Sequence, residues 1–302
     1  MRWSFSAHGS FGKCQRQWFY KTVLANGRAK DPQRREAHRL SKLEGIQAWR
    51  GKIVDSVISD TIIPSFSWPR PCDILTAKRK ADEIFDRQRV QMLSGLGEIR
   101  FFEAEYGTPI TGEVFQKARA EVHSALENFY RAESVWELLK QAKRLFPQRT
   151  LSFKHGEVTV QVRPDLLMFR HAAPQVVFDW KVNVRPLRDY WLQLVTGAIA
   201  VTRCTPHRDW PIAETRYPPH EIELFEVQLL TGRVRAHSVT AEDVADAEDF
   251  ISYSATEMQL AQGDDSENLK PEDFSVAAEP RTCQMCSFKK LCWGCSNEPS
   301  GN

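Results

Sequence analysis

Two short patterns in this chain hold the residue types that chemistry requires. The first is VRPD followed by FDWK, which sets Asp165, Asp179 and Lys181 in two neighbouring apolar runs. Side chains alternate along a strand, so Asp179 and Lys181 project from one face of theirs. Asp165, on the adjacent strand, reaches that face too, and two carboxylates and an ammonium converge. Hydrolysis of a phosphodiester uses such a set. Hard oxygen ligands hold Mg²⁺ or Mn²⁺, and the ion lowers the pKa of a bound water and offsets charge growing on the phosphate. A nearby lysine orients that water or stabilises the pentavalent transition state. The same residues would also make a salt bridge at a strand end, and a bare D-x-K arises often by chance. Context favours the site, because Asp179 closes a strongly apolar strand, where an unpaired charge is costly.

The second pattern is CQMCSFKKLCWGC near the C-terminus. Of the seven cysteines, four fall within these thirteen residues. In a chain without an export signal, such a cluster reads as metal or cluster ligation before it reads as disulfides. Cys283, Cys286, Cys292 and Cys295 have C-x2-C-x5-C-x2-C spacing, which by itself suits a compact zinc knuckle. Cys72 and Cys204 read as plain buried residues.

The elements that position these patterns follow from periodicity. Leu40, Leu43, Ile46, Val54, Val57 and Ile58 recur at three- and four-residue steps, which predicts a helix over about residues 34–60. Pro64, Pro69 and Pro71 then interrupt the chain. Residues 76–98 and 113–145 look helical and highly charged, so 61–147 reads as a helical insertion or cap. From Thr150, LSFKHGEVTVQVRPDLLMFR alternates and turns at His155-Gly156, with Arg163-Pro164 interrupting it. PQVVFDWKV is the next strand, and residues 188–202 return to a helical pattern. ELFEVQLLTGRVRAHSV is a second hairpin turning at Thr231-Gly232, 241–262 is a helix, and GDDSENLKPED is a polar linker. The expected fold class is α/β. Its parts are 1–60, the insertion 61–147, a core over 148–262, and the linker and cysteine segment 263–302.

Composition sets outer bounds. Hydrophobic residues make up 42% and charged residues 26%, as in ordinary globular proteins. The net charge is only +2, from 41 basic and 39 acidic residues, so any nucleic-acid surface must be local. No uncharged run approaches the ~18 residues of a membrane span. MRWSFSAHGSFGKCQRQ lacks the apolar core of a secretory signal, and the expected compartment is the cytoplasm. The chain has no G-x-x-x-x-G-K-[ST], so any ATP-driven unwinding needs a separate protein.

The segment SFSAHGSFGKCQRQWFY resembles the N-terminal motif of RecB-like nucleases of the PD-(D/E)XK type that carry an iron–sulfur cluster. CRISPR-associated RecB-like exonucleases and AddB-type nuclease subunits belong to that group. The resemblance implies a restriction-endonuclease-like core, a mixed central sheet flanked by helices. It also implies one [4Fe-4S] cluster on Cys14, Cys283, Cys286 and Cys292, stapling the two ends together, with Cys295 either spare or standing in for Cys292. RGKIVDSVI resembles the family's G-x-x-x-H helix, with Gly51 at the glycine and Asp55 in place of the histidine. YWLQLVTGA resembles the Q-x-x-x-Y helix, with Gln193 at the glutamine, Gly197 in place of the tyrosine, and Tyr190 one turn before Gln193.

The implied roles follow residue by residue. Asp55, Asp165 and Asp179 would hold the metal, and Lys181 and Gln193 would complete the catalytic set. Arg16, Lys21 and Tyr190 are candidates for DNA contact, while Trp18 and Phe19 are expected to pack around the cluster. The implied activity is a metal-dependent DNA nuclease, in particular an exonuclease, acting on single strands or ends in repair, recombination or anti-phage defence. A helicase, ATPase or other nucleic-acid-processing partner is expected. The altered histidine and tyrosine positions leave a second reading, a catalytically degenerate DNA-binding or scaffold subunit.

Overall fold

The computed structural model describes residues 1–94, 100–183, 190–211, 217–263 and 269–293, with only the backbone of residue 190. The chain opens with strand β1 (Arg2–Trp3) and helix α1 (Phe5–Lys13). Ser4 caps α1 by accepting the Ala7 N–H. Helix α2 (Pro32–Ser41) is followed by β2 (Leu43–Glu44) and α3 (Ile46–Val57). The single helix expected over about 34–60 is thus broken. Leu43 and Glu44 are drawn into parallel pairing with β3 (Arg100–Phe101), and Gly45 caps the new helix.

Helix α4 (Ile74–Ser94) lies between α3 and β3, and α5 (Gly112–Arg131) and α6 (Glu133–Lys140) follow β3. The long helical reading of 113–145 ends early, because β4 (Ala142–Pro147) joins the main sheet. The segment read as an insertion therefore contributes an edge strand to the core. Strands β5 (Leu151–His155) and β6 (Val158–Val162) form the expected hairpin, with Gly156 at φ +54° in its turn. Arg163-Pro164 then carries the chain into another sheet, as β7 (Leu166–Arg170) and β8 (Val176–Lys181). Helix α7 (Tyr190–Arg203), the hairpin β9 (Glu223–Gln228) and β10 (Arg233–His237), and α8 (Ala241–Gln262) complete the core. Thr240 and Asp243 cap α8 reciprocally.

The main sheet has strand order β10-β9-β8-β7-β4, with β8 and β9 parallel and the other neighbours antiparallel. A smaller sheet, β1-β6-β5, stands beside it. Alternation sorts the main sheet's two faces. Leu167, Phe169, Val177 and Leu224 pack with α7, α8, the small sheet and the chain ends. Leu166, Met168, Val176, Phe178 and Trp180 pack with α3, α4 and α5. The sheet is therefore covered on both sides, which explains why β7 is buried throughout and β8 over five of its six residues. This is the mixed, helix-flanked sheet expected from the sequence.

Candidate active site and cysteine corner

The site grows out of β8. Asp179 and Lys181 share the parity of Val177 and point to the α7 side. The β7–β8 register pairs Leu166 with Phe178, so one step on it brings Asp165 opposite Asp179. On the other flank, β9 sets Glu226 beside Asp179 and Gln228 beside Lys181. Helix α7 lies across this face and supplies Gln193.

The side chains interlock. Lys181 Nζ donates to Asp179 Oδ1 at 2.9 Å and stands 2.7 Å from Oδ2. Gln193 Nε2 donates to Asp179 Oδ1 at 2.8 Å, and its Oε1 accepts from Lys181 at 3.3 Å. Asp165 Oδ2 accepts the Trp180 backbone N–H at 2.7 Å. Asp55 arrives from α3 and meets Asp165 through Gln148, whose Nε2 donates to Asp55 Oδ1 at 2.6 Å and to Asp165 Oδ1 at 2.9 Å. Five residues expected from the sequence, Asp55, Asp165, Asp179, Lys181 and Gln193, thus come together.

Several partners were not singled out from the sequence. Gln148 takes a left-handed backbone, φ +49°, while its N–H holds the Asp165 carbonyl at 3.0 Å. Glu226 is 1% exposed and accepts from Gln228 Nε2 at 2.5 Å, with His237 Nε2 3.3 Å away. An acid facing the core of the ELFEVQ strand was the one available hint. Arg50, buried in α3, ion-pairs with Glu121 of α5 and donates to the Val182 carbonyl at 2.7 Å. It anchors the chain just past Lys181 to two helices.

Four carboxylates in so small a volume repel. Burial, and then the Asp179 carboxylate beside it, raise Asp165 to about 8, although it keeps a little exposed surface. Burial also raises Asp179, against the pull of Lys181, and burial raises Asp55. Among the described residues, no three His, Cys, Asp or Glu side chains already stand at the spacing of one metal ion. Here the Gln148 amide lies between Asp55 and Asp165, and the Lys181 ammonium lies on Asp179. The donors are nonetheless hard oxygens whose mutual repulsion a divalent cation relieves, so the residue set suits Mg²⁺ or Mn²⁺.

At the chain ends, Cys14, Cys283, Cys286 and Cys292 line one small cavity. Cys14 follows α1, and the others sit on the short helices Pro280–Gln284 and Lys289–Trp293 and the turn between them. Aromatic rings close the corner: Tyr20 stacks on Phe288 at 5.6 Å and Phe19 on Phe274 at 4.6 Å. Burial, then the other thiols, raises Cys283, and burial pushes Cys286 to about 12. The Gln17 and Phe288 backbone N–H groups donate to Cys14 Sγ and Cys286 Sγ, each at 3.4 Å.

Arg16, a candidate DNA contact, sits half-buried in this corner. It donates to the Phe274 carbonyl at 3.2 Å and to Cys292 Sγ at 3.9 Å. Lys21 is exposed, whereas Trp18, Phe19 and Tyr20 are buried. The Tyr190 side chain and Cys295 lie outside the described residues. Cys72 and Cys204 are buried, as expected.

A mixed sheet thus bears two carboxylates and a lysine on adjacent strands, and its flanking helices add an aspartate and a glutamine. The model of the PD-(D/E)XK nuclease superfamily matches residues 2–293, and the chain belongs to that superfamily. No curated protein matches it. Among solved structures, it is similar to a candidate exonuclease from Eubacterium rectale, at 12% identity and TM-score 0.46, over 100% of this chain and 90% of that one. A second similar structure, SSO0001, shows 13% identity and TM-score 0.30, over 63% of this chain and 78% of that one. Among the described residues, no helix is long and apolar enough to cross a membrane.

Proposed function

We propose that the protein is a DNA nuclease that hydrolyses phosphodiester bonds with Mg²⁺ or Mn²⁺ held by Asp165, Asp179 and Asp55. The observation that carries this reading is the convergence of those carboxylates with Lys181 and Gln193 on one face of β8. Bound there, the cation would supply charge to the phosphate and acidify a coordinated water. Lys181, held by Asp179 and Gln193, is poised to donate to an attacking water or to a phosphate oxygen. Gln193 fixes the lysine and the carboxylate together, which keeps the ammonium aimed at the reacting phosphate. An intact set of this kind argues against the scaffold reading.

The finer points are also proposals. Cys14, Cys283, Cys286 and Cys292 would hold a [4Fe-4S] cluster that staples the ends of the chain. Support comes from their shared cavity and the N–H donors to two of the sulfurs. The helices of the 61–147 segment would act as a cap on the core. Exonucleolytic action on single strands or ends, a helicase or ATPase partner, and a role in repair, recombination or anti-phage defence rest on family likeness. Arg16, Lys21 and Tyr190 remain candidate DNA contacts.

The test is cleavage of single- and double-stranded DNA by anaerobically purified protein with Mn²⁺ or Mg²⁺, wild type against Lys181→Ala. The expected result is a metal-dependent product that falls at least about a hundredfold in the variant. An iron-loaded wild type that leaves DNA intact, alone and with added partner fractions, would overturn the catalytic reading.

A further inference from the structure

Beside the carboxylate–lysine cluster lies a cavity of about 410 Å³. Asp179 and Gln193 line it. So do residues from outside the main sheet: Phe5 and Ser6 open α1, Gln161 lies in β6 with Arg163 just after it, and Thr150 precedes β5. Gly197, one turn beyond Gln193, lines it without a side chain, and a Cβ there would stand 3.3 Å from Val177 Cγ1. The wall is preformed. β1 pairs with β6, and Trp3 Nε1 donates to the buried Ser254 hydroxyl at 2.9 Å.

The size and chemistry of this space narrow what fits. Its volume is near the lower end of the ~300–1,000 Å³ of small-ligand pockets. That is room for one nucleoside unit and not for a base pair held in its stack. Phe5 offers a ring on which any base can stack. Ser6, Thr150 and Gln161 offer hydroxyl and amide groups that can donate or accept, so they impose no fixed base pattern. Arg163, exposed at the rim, supplies positive charge suited to a phosphate.

We propose that this cavity holds the nucleotide next to the scissile phosphate, its base unpaired and stacked on Phe5. The site would then select single-stranded DNA over duplex, with little regard to sequence. A base still in a duplex must first be unpaired and unstacked to enter. The proposal rests on the nuclease reading of Asp179 and Lys181 and adds to it the pocket and its selectivity.

The test is binding of a fluorescent oligo(dT) and of a blunt duplex to the full chain carrying Lys181→Ala, followed by anisotropy. In that background, Phe5→Ala and Thr150→Trp should each weaken oligo(dT) binding about five- to a hundredfold, and Phe5→Trp should retain it. Duplex binding should be weaker than oligo(dT) binding and unchanged by the substitutions. Thr150 is exposed, so its replacement tests the pocket without disturbing the core. Oligo(dT) binding within twofold of the parent in both variants, or duplex bound as tightly as oligo(dT), overturns the proposal. Binding is scored apart from chemistry. Phe5-dependent binding with a wild type that cuts nothing supports the pocket and removes the nuclease reading; cutting with Phe5-independent binding removes the pocket alone.

Discussion

The carboxylate cluster makes the stability of the metal-free protein fall as pH rises, and a divalent cation should reverse this. Asp165 has an ordinary carboxyl pKa near 3.8 when unfolded and about 8 in the folded chain. Its raised value means that the folded state holds a proton the unfolded state has lost. The associated stability is complete below the unfolded pKa and is lost progressively up to the folded one. Each pH unit inside that window costs about 1.36 kcal/mol, so raising pH from 6 to 7.5 should cost about 2 kcal/mol. At ~2 °C per kcal/mol, the melting midpoint in EDTA should drop by about 4 °C from this group. Mn²⁺ binds the ionised carboxylates, so its stabilising increment should grow with pH over the same range, reaching about 2.7 kcal/mol at a hundred times its Kd. The assay is thermal unfolding at pH 6, 6.75 and 7.5, with EDTA or Mn²⁺, for wild type and Asp165→Asn. The substitution should flatten the EDTA series and shrink the Mn²⁺ shift. A wild-type midpoint that rises with pH in EDTA, or a Mn²⁺ shift equal in both proteins, would refute the reasoning.

Two further outcomes follow from the interlocked parts. Arg50→Ala removes the hydrogen bond to the Val182 carbonyl and leaves Glu121 without its buried partner. Stability should fall by about 3 kcal/mol, and kcat should fall with little change in KM, as steady-state kinetics on the variant would read. Cys14→Ser should abolish the brown colour of anaerobically purified protein and lower its iron and sulfide content, while leaving any zinc bound by the C-terminal cysteines in place. Unchanged iron in that variant would remove Cys14 from the ligand set.

Sequence alone determined whatever depends on near neighbours along the chain. Period-two alternation is a local rule, so the shared face of Asp179 and Lys181 was legible in FDWK. Both hairpins were legible in their turns, where Gly156 and Gly232 adopt φ of +54° and +69°. The C-x2-C-x5-C spacing marked three cysteines before any geometry was known.

Tertiary structure decided what depends on distant partners. Helical periodicity ran straight through Leu43 and Glu44, and only their pairing with Arg100 and Phe101 breaks the helix. AKRLFP read as the tail of a helix, but β7 offered an open row of backbone partners and drew it into the sheet. That Arg16 reaches the Phe274 carbonyl and the Cys292 thiol, from the far end of the chain, had no local sign either. The meeting of Asp55, Gln148 and Asp165 joins three segments whose spacing along the chain carries no period. Residue type and local spacing say which face a side chain occupies; which other face it meets is settled by how the sheets and helices close around one core.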